Sequence, residues 1–141
     1  KDETRFREFA VRLGIGDRVF FAGYTERSAL PRYYGIADVL VHPSLSEVWG
    51  LVINEALACG VPVIATEICG AVADLLCPGE NGYVIPPRDP CAITESLRKY
   101  FDLPDEQRSA MRAKAKQSIA PFTIERAADA FVEAVRCALE Q

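Results

Sequence analysis

The apolar positions of the chain change period several times, and the changes outline its elements. Phe6, Phe9, Ala10 and Leu13 recur at helical spacing and run into Gly14 and Gly16, which predicts an opening helix with a glycine-rich exit. Val19 to Ala22 is short, β-rich and closed by Gly23, as a buried strand would be. A short helix is predicted over Ser28–Ile36; Asp38 then opens the run Val39-Leu40-Val41, which stops at His42-Pro43-Ser44. Leu51 to Cys59 reads as helix and ends in Gly60 and Pro62, the usual order at a helix terminus. Val63-Ile64-Ala65 is the third predicted strand. After it come a helical turn around Val72–Leu76, a turn at Gly79-Glu80-Asn81-Gly82, and a fourth strand, Tyr83-Val84-Ile85, ended by Pro86-Pro87. Asp89 as cap and Pro90 at the first helical position start a helix carrying Ile93, Leu97 and Phe101 on one face. Two more helices are predicted over 105–118 and 124–139. The second has Thr123 as its cap and Ala127 or Ala128, Phe131, Val135 and Leu139 as its buried stripe.

Strands and helices alternate, and the strands have no polar face. That is the pattern of a doubly wound parallel sheet with helices on both sides. In such sheets ligands sit beyond the carboxyl ends of the strands, so function is expected in the segments after Ala22, Val41, Ala65 and Ile85.

Composition narrows the classes. With 141 residues the chain is about one domain long, half of it is apolar, and no window approaches the roughly 18 consecutive apolar residues of a membrane span. Lys plus Arg minus Asp plus Glu is 16 − 20 = −4, so no bulk positive field attracts nucleic acid, and an anionic ligand must be held locally. The five cysteines, Cys59, Cys69, Cys77, Cys91 and Cys137, are odd in number and scattered. They suit neither a disulfide framework nor a zinc site, and a reducing cytoplasm is the expected location. Cys59 and Cys69 are read as small buried apolar groups.

The segment after the second strand holds the densest chemistry. His42 to Gly60 reads HPSLSEVWGLVINEALACG, with Glu47 and Glu55 eight positions apart and Gly50 between them, where the helix should begin. A helix start offers free backbone N–H groups and about half a positive charge. The amides near Trp49, Gly50 and Leu51 could therefore receive a phosphate or sugar oxygen, with Gly50 permitting close approach. Ionised carboxylates only accept hydrogen bonds, so two of them flanking that point suit a ligand with hydroxyl donors on both sides, such as a nucleotide-sugar. Taken alone, the spacing is weak evidence and better fits two carboxylates placed near a helix start for dipole reasons and left exposed.

The wider sequence adds more. VFFAGY (19–24), YGIADV (34–39), HPSLSEVWGLVINEALACGVPVIAT (42–66) and CGAVADLLCPGENGYVIPPRDP (69–90) resemble the carboxyl-terminal domain of glycosyltransferase family 4, retaining sugar transferases of the two-domain GT-B, Rossmann-like architecture. The resemblance covers almost the whole chain. It implies that residues 1–141 are a partial donor-binding domain. Glu47 would stand by the donor sugar near the reacting carbon, and Glu55 would accept from the ribose hydroxyls. Ser46 and the backbone of Val48, Trp49, Gly50 and Leu51 would touch sugar and diphosphate. Most relatives carry Phe at the position of Trp49.

The later loop usually reads Gly-Gly-x-x-Glu; here Gly70 and Asp74 stand in the corresponding places, and a cap or surface role for Asp74 is the alternative. Gly23 and Tyr24, with Thr25, would border the nucleobase or form exposed loop. Asn81-Gly82 is read as a structural turn tolerant of left-handed φ. Arg88 is read as a surface or capping residue, and His42, the only histidine, as hydrogen-bonded and structural rather than a base.

The sequence shows no metal-ligand cluster, which fits a metal-independent reaction with no cofactor beyond the nucleotide-sugar substrate, and the resemblance implies a carbohydrate or lipid-linked acceptor. It also implies an amino-terminal acceptor domain, two strands, and an arginine and a lysine for the diphosphate, all upstream of Lys1. Through that domain the enzyme would associate peripherally with the cytoplasmic face of a membrane. The chain alone is not expected to turn over, and its sheet should show a gap or an exposed edge between Val19–Ala22 and Val39–His42. The competing readings are a non-catalytic doubly wound binding module and a GT-B phosphorylase or epimerase.

Overall fold

The structure, a computed structural model, describes residues 2–139. It divides into two units, one ending at Leu30 and the other beginning at Pro31.

The first unit holds helix α1 (Asp2–Arg12), a 3-10 turn at Gly16–Arg18 and a second at Arg27–Ala29. Asp2 and Glu3 at the start of α1 and Arg12 at its end match the helix dipole, and Ala10 is its buried residue. Val19–Ala22 is not a strand, contrary to the expectation from its composition. A ladder needs a neighbour, and among the described residues none pairs with this segment. Phe20 is consequently 90% exposed. Phe21 is held instead by the guanidinium of Arg7, 4.5 Å above its ring.

The second unit is built on a three-stranded parallel sheet of β1 (Leu40–His42), β2 (Val63–Thr66) and β3 (Gly82–Ile85), in that order. Leu40 pairs with Val63, and Val63 with Gly82. Side chains alternate faces along a strand, so burial of all four residues of β2 means that both of its faces are covered. Helix α2 (Leu30–Ile36) precedes β1. The crossovers are α3 (Leu51–Ala58) and α4 (Gly70–Leu75); α5 (Pro90–Phe101), α6 (Asp105–Ile119) and α7 (Ile124–Leu139) follow. Ile53, Ala56 and Leu57 of α3 form its buried stripe. They share a core with Val61, Val63, Ala65, Cys69, Ala71, Val72, Leu75 and Ala115.

Two long-range bonds fix the segment leading into β1. Tyr100 of α5, buried, donates its hydroxyl proton to the carbonyl of Asp38 at 2.9 Å, and Arg112 of α6 donates to the carbonyl of Ala37 at 2.9 Å. The strand that leads into the glutamate loop is thus anchored from two helices.

Helix α5 starts as expected, Pro90 opening it and the Asp89 carboxylate accepting from the amide of Ala92 at 3.0 Å. Thr123 caps α7, its hydroxyl accepting from the amide of Arg126 at 3.2 Å. The stripe predicted to be buried on α7 is exposed, Phe131 at 70% and Leu139 at 82%, because none of the described elements packs over it. Asn81-Gly82 is structural, though not through left-handed φ, which neither residue adopts. Asn81 is buried and acts by its amide group, accepting from the amide of Cys77 and donating to the carbonyl of Leu75, both at 2.8 Å. Arg88 is exposed, with φ +60°. Cys69 is buried as expected and Cys59 half-buried. No described helix is long and apolar enough to cross a membrane.

Candidate functional site

The segment from β1 to α3 reverses the chain and then starts a helix whose first residues are apolar. Gly50, at φ +96°, makes the reversal in a conformation that costs any residue with a side chain about 1–2 kcal/mol. It offers no side-chain cap. The amides of Leu51 and Val52 in the first turn have no intrahelical acceptor available to them. Val48 is 94% exposed and Leu51 is exposed as well. Gly50 itself is buried, with side-chain atoms of Ile53 and Glu47 at 3.3 and 3.4 Å from where its Cβ would stand, so the expected close approach of a ligand to its backbone is corrected to the neighbouring amides. Burial of Ile53, Ala56 and Leu57 orients α3 and leaves Asn54 and Glu55 on its half-buried side. The uncapped turn is thus fixed in place by the core behind it.

A second loop holds the first. The amide of Ala71, at the start of α4, donates to the carbonyl of Trp49 at 3.0 Å. A Cβ added to Gly70 would collide with the carbonyl oxygen of Val48, so only glycine lets the two loops come this close. Thr66 at the end of β2 donates from its hydroxyl to the carbonyl of Ser44 at 2.8 Å. Trp49 packs its ring against the core and donates its indole proton to the side-chain oxygen of Asn54 at 2.9 Å. Its observed contacts are those of a residue that fixes the loop. The segments after β1 and β2 therefore form one edge, at the carboxyl ends of neighbouring parallel strands.

The two glutamates meet different surroundings. Glu47 is half-buried, and its Oε2 lies 3.8 Å from Nε2 of His42, beyond hydrogen-bond range. Nε2 of His42 is buried without a partner among the described residues. The expectation of a hydrogen-bonded histidine is corrected at that nitrogen: β1 ends at His42, and the nearest carboxylate stops about an ångström short. Glu55 is directly engaged, its Oε2 accepting from the hydroxyl of Tyr34 at 2.9 Å. Burial, then the hydrogen bond and charge of Glu55, push the Tyr34 phenol far above the usual tyrosine range. It therefore stays a proton donor.

The remaining expected residues are less engaged. Ser46 is exposed, and its carbonyl accepts from the Ser44 hydroxyl at 3.1 Å. Asp74 is exposed in the last turn of α4 and is not that helix's N-cap, a position held by Cys69. Gly23, at φ +66°, and Tyr24, 89% exposed, belong to the first unit. Tyr34, Asn54, Thr66 and Ser44 hold the site together without having been singled out for it. Tyr34 had only its place at the head of YGIADV to mark it, since its partner is 21 residues away along the chain.

The description "Glycosyl transferases group 1" matches residues 1–118. D-inositol 3-phosphate glycosyltransferase 1 of Catenulispora acidiphila is 33% identical over 139 residues, which are 99% of this chain and 33% of that protein. Sucrose-phosphate synthase from Thermosynechococcus elongatus superposes with a TM-score of 0.84 at 30% identity, over 99% of this chain and 35% of that one. Anabaena HepE in complex with UDP superposes with a TM-score of 0.77 at 27% identity, over 95% and 36%. The chain spans about a third of the length of these proteins.

Proposed function

Since the chain belongs to the group 1 glycosyl transferases, we propose that it is the donor-binding part of a retaining enzyme that moves a sugar from a nucleotide-sugar to a glycan or lipid-linked acceptor. The observation that carries this reading is the uncapped start of α3 at Gly50, with Glu47 before it and Glu55 within the helix. A diphosphate set against the Leu51 and Val52 amides meets donors that need no reorganisation as charge develops on the departing phosphate. Glu47 would face the sugar and favour positive character on its ring. Glu55 would accept from the ribose hydroxyls. Gly70, through its contact with the Val48 carbonyl, would keep the turn open, and Asp74 would lie at the margin of the donor.

The reaction is read as metal-independent, with cations outside these residues completing the diphosphate site. That HepE is described in complex with UDP supports a uridine diphosphate donor as the first to try. Five unpaired cysteines support a cytoplasmic enzyme, and association with a membrane face would come from parts of the enzyme beyond this chain.

The test is a screen of UDP-, GDP- and ADP-sugars for hydrolysis and transfer by the full-length enzyme, followed by two substitutions. Glu47→Ala should lower kcat by about 100-fold or more while the melting temperature is kept, as expected for charge stabilisation lost from the reacting centre. Glu55→Ala should mainly raise the donor KM, by roughly tenfold for one lost charge-assisted contact. Normal turnover by Glu47→Ala would remove the role assigned to it.

A further inference from the structure

The two carboxylates differ in one respect that the proposed reaction does not require: among the described residues, only Glu55 accepts a hydrogen bond from another side chain. Its partner, Tyr34, is well anchored. The ring packs against the hydrophobic core, and the Tyr34 carbonyl accepts from the amide of Ala37 at 3.1 Å. Ala37 and Asp38 are in turn held by Arg112 and Tyr100. The phenol is thus a fixed point, and the flexible glutamate side chain is set by it.

A carboxylate has about four acceptor positions, two on each oxygen. The Tyr34 proton occupies one on Oε2, which leaves Oε1 and the other side of Oε2 for a ligand. Such an arrangement suits two adjacent hydroxyls, one to each oxygen. Because burial and the neighbouring carboxylate keep the phenol protonated, this occupancy does not change near neutral pH.

We infer that Tyr34 is a positioning residue, whose hydroxyl orients the Glu55 carboxylate for a vicinal diol and so makes the site prefer ribonucleoside over 2′-deoxyribonucleoside diphosphates. The inference rests on the reading of Glu55 as the ribose acceptor. With the carboxylate fixed, loss of the 2′-hydroxyl leaves one oriented acceptor unmet. Without Tyr34 the carboxylate can turn to follow whichever hydroxyl remains, or water, and the two ligands become more alike.

The test titrates the full-length enzyme with UDP, ADP and GDP, takes the tightest binder and its 2′-deoxy counterpart, and compares wild type with Tyr34→Phe and Glu55→Ala. Phe keeps the ring that packs on the core, and a thermal melt checks that the fold survives. Wild type is expected to prefer the ribonucleotide by about tenfold, as for one charge-assisted hydrogen bond. Tyr34→Phe should cut that preference at least about threefold and raise the donor KM with little change in kcat, which a purely structural hydrogen bond would not do.

An unchanged preference in Tyr34→Phe, alongside a collapsed one in Glu55→Ala, would overturn the inference and leave the reading of Glu55 standing. If Glu55→Ala bound both nucleotides as wild type does, that reading would fail and the inference with it. Absence of binding by wild type to all three diphosphates would overturn both.

Discussion

Gly70 shows how one missing methyl group governs the geometry of the glutamate loop. Its backbone lies against the Val48 carbonyl so closely that a Cβ has no room, and the next amide grips the Trp49 carbonyl at 3.0 Å. Gly70→Ala must therefore push the 48–49 backbone away from α4 or give up that hydrogen bond. The expected stability cost is about 1–3 kcal/mol, as for other overpacked sites, with a larger relative loss in donor KM than in melting temperature. A variant that melted normally and kept its KM would show that the contact is not needed.

What the sequence revealed at this scale followed from local chemistry. Glu47, Gly50 and Glu55 stand in one stretch of nine residues, and the helix start among them can be inferred without tertiary knowledge. Tyr34, Thr66 and Asn81 act across turns and strands, through partners that no spacing rule connects to them. His42 could be placed at the end of a strand, but the gap to Glu47 that leaves its Nε2 without a partner is set by packing.

Elements divide in the same way, by whether their causes are local. The start of helix α5 was legible because Asp89 and Pro90 specify it through bonds and φ angles that lie within four residues, whereas its buried residues are Ser96 and Tyr100 and Phe101 of the predicted apolar face is exposed. Val19–Ala22 has the composition of a strand and failed to become one, since a strand exists only with a neighbour. Helix α7 has an apolar stripe legible at the right period, but its partner could not be read from the sequence, and the stripe lies open. Two substitutions should separate these cases in thermal melts of the chain. Asp89→Ala removes the cap bond to Ala92 and should cost about 1 kcal/mol. Phe131→Glu, on the open stripe, should change stability by no more than about 0.5 kcal/mol. A large loss from Phe131→Glu would mean that α7 is covered after all.

Across the whole chain the apolar surface is unusually generous. Phe20, Tyr24, Val48, Phe131 and Leu139 are all largely exposed, and the sheet has β1 and β3 as its outer strands. Exposed large apolar side chains and strand edges favour contact with other chains. Prepared as 141 residues alone, the protein is therefore expected to bind a hydrophobic dye and to elute earlier from a sizing column as its concentration rises. Concentration-independent elution at the monomer volume would contradict this.

The clasp of Ala71 on Trp49 also bears on protein engineering. A loop braced by the opening of the following crossover can be re-aimed by altering the brace, so substitutions at Ala71 or Val72 offer a way to shift the loop while both acidic residues stay untouched. Libraries directed only at the loop itself would leave its other hinge unvaried.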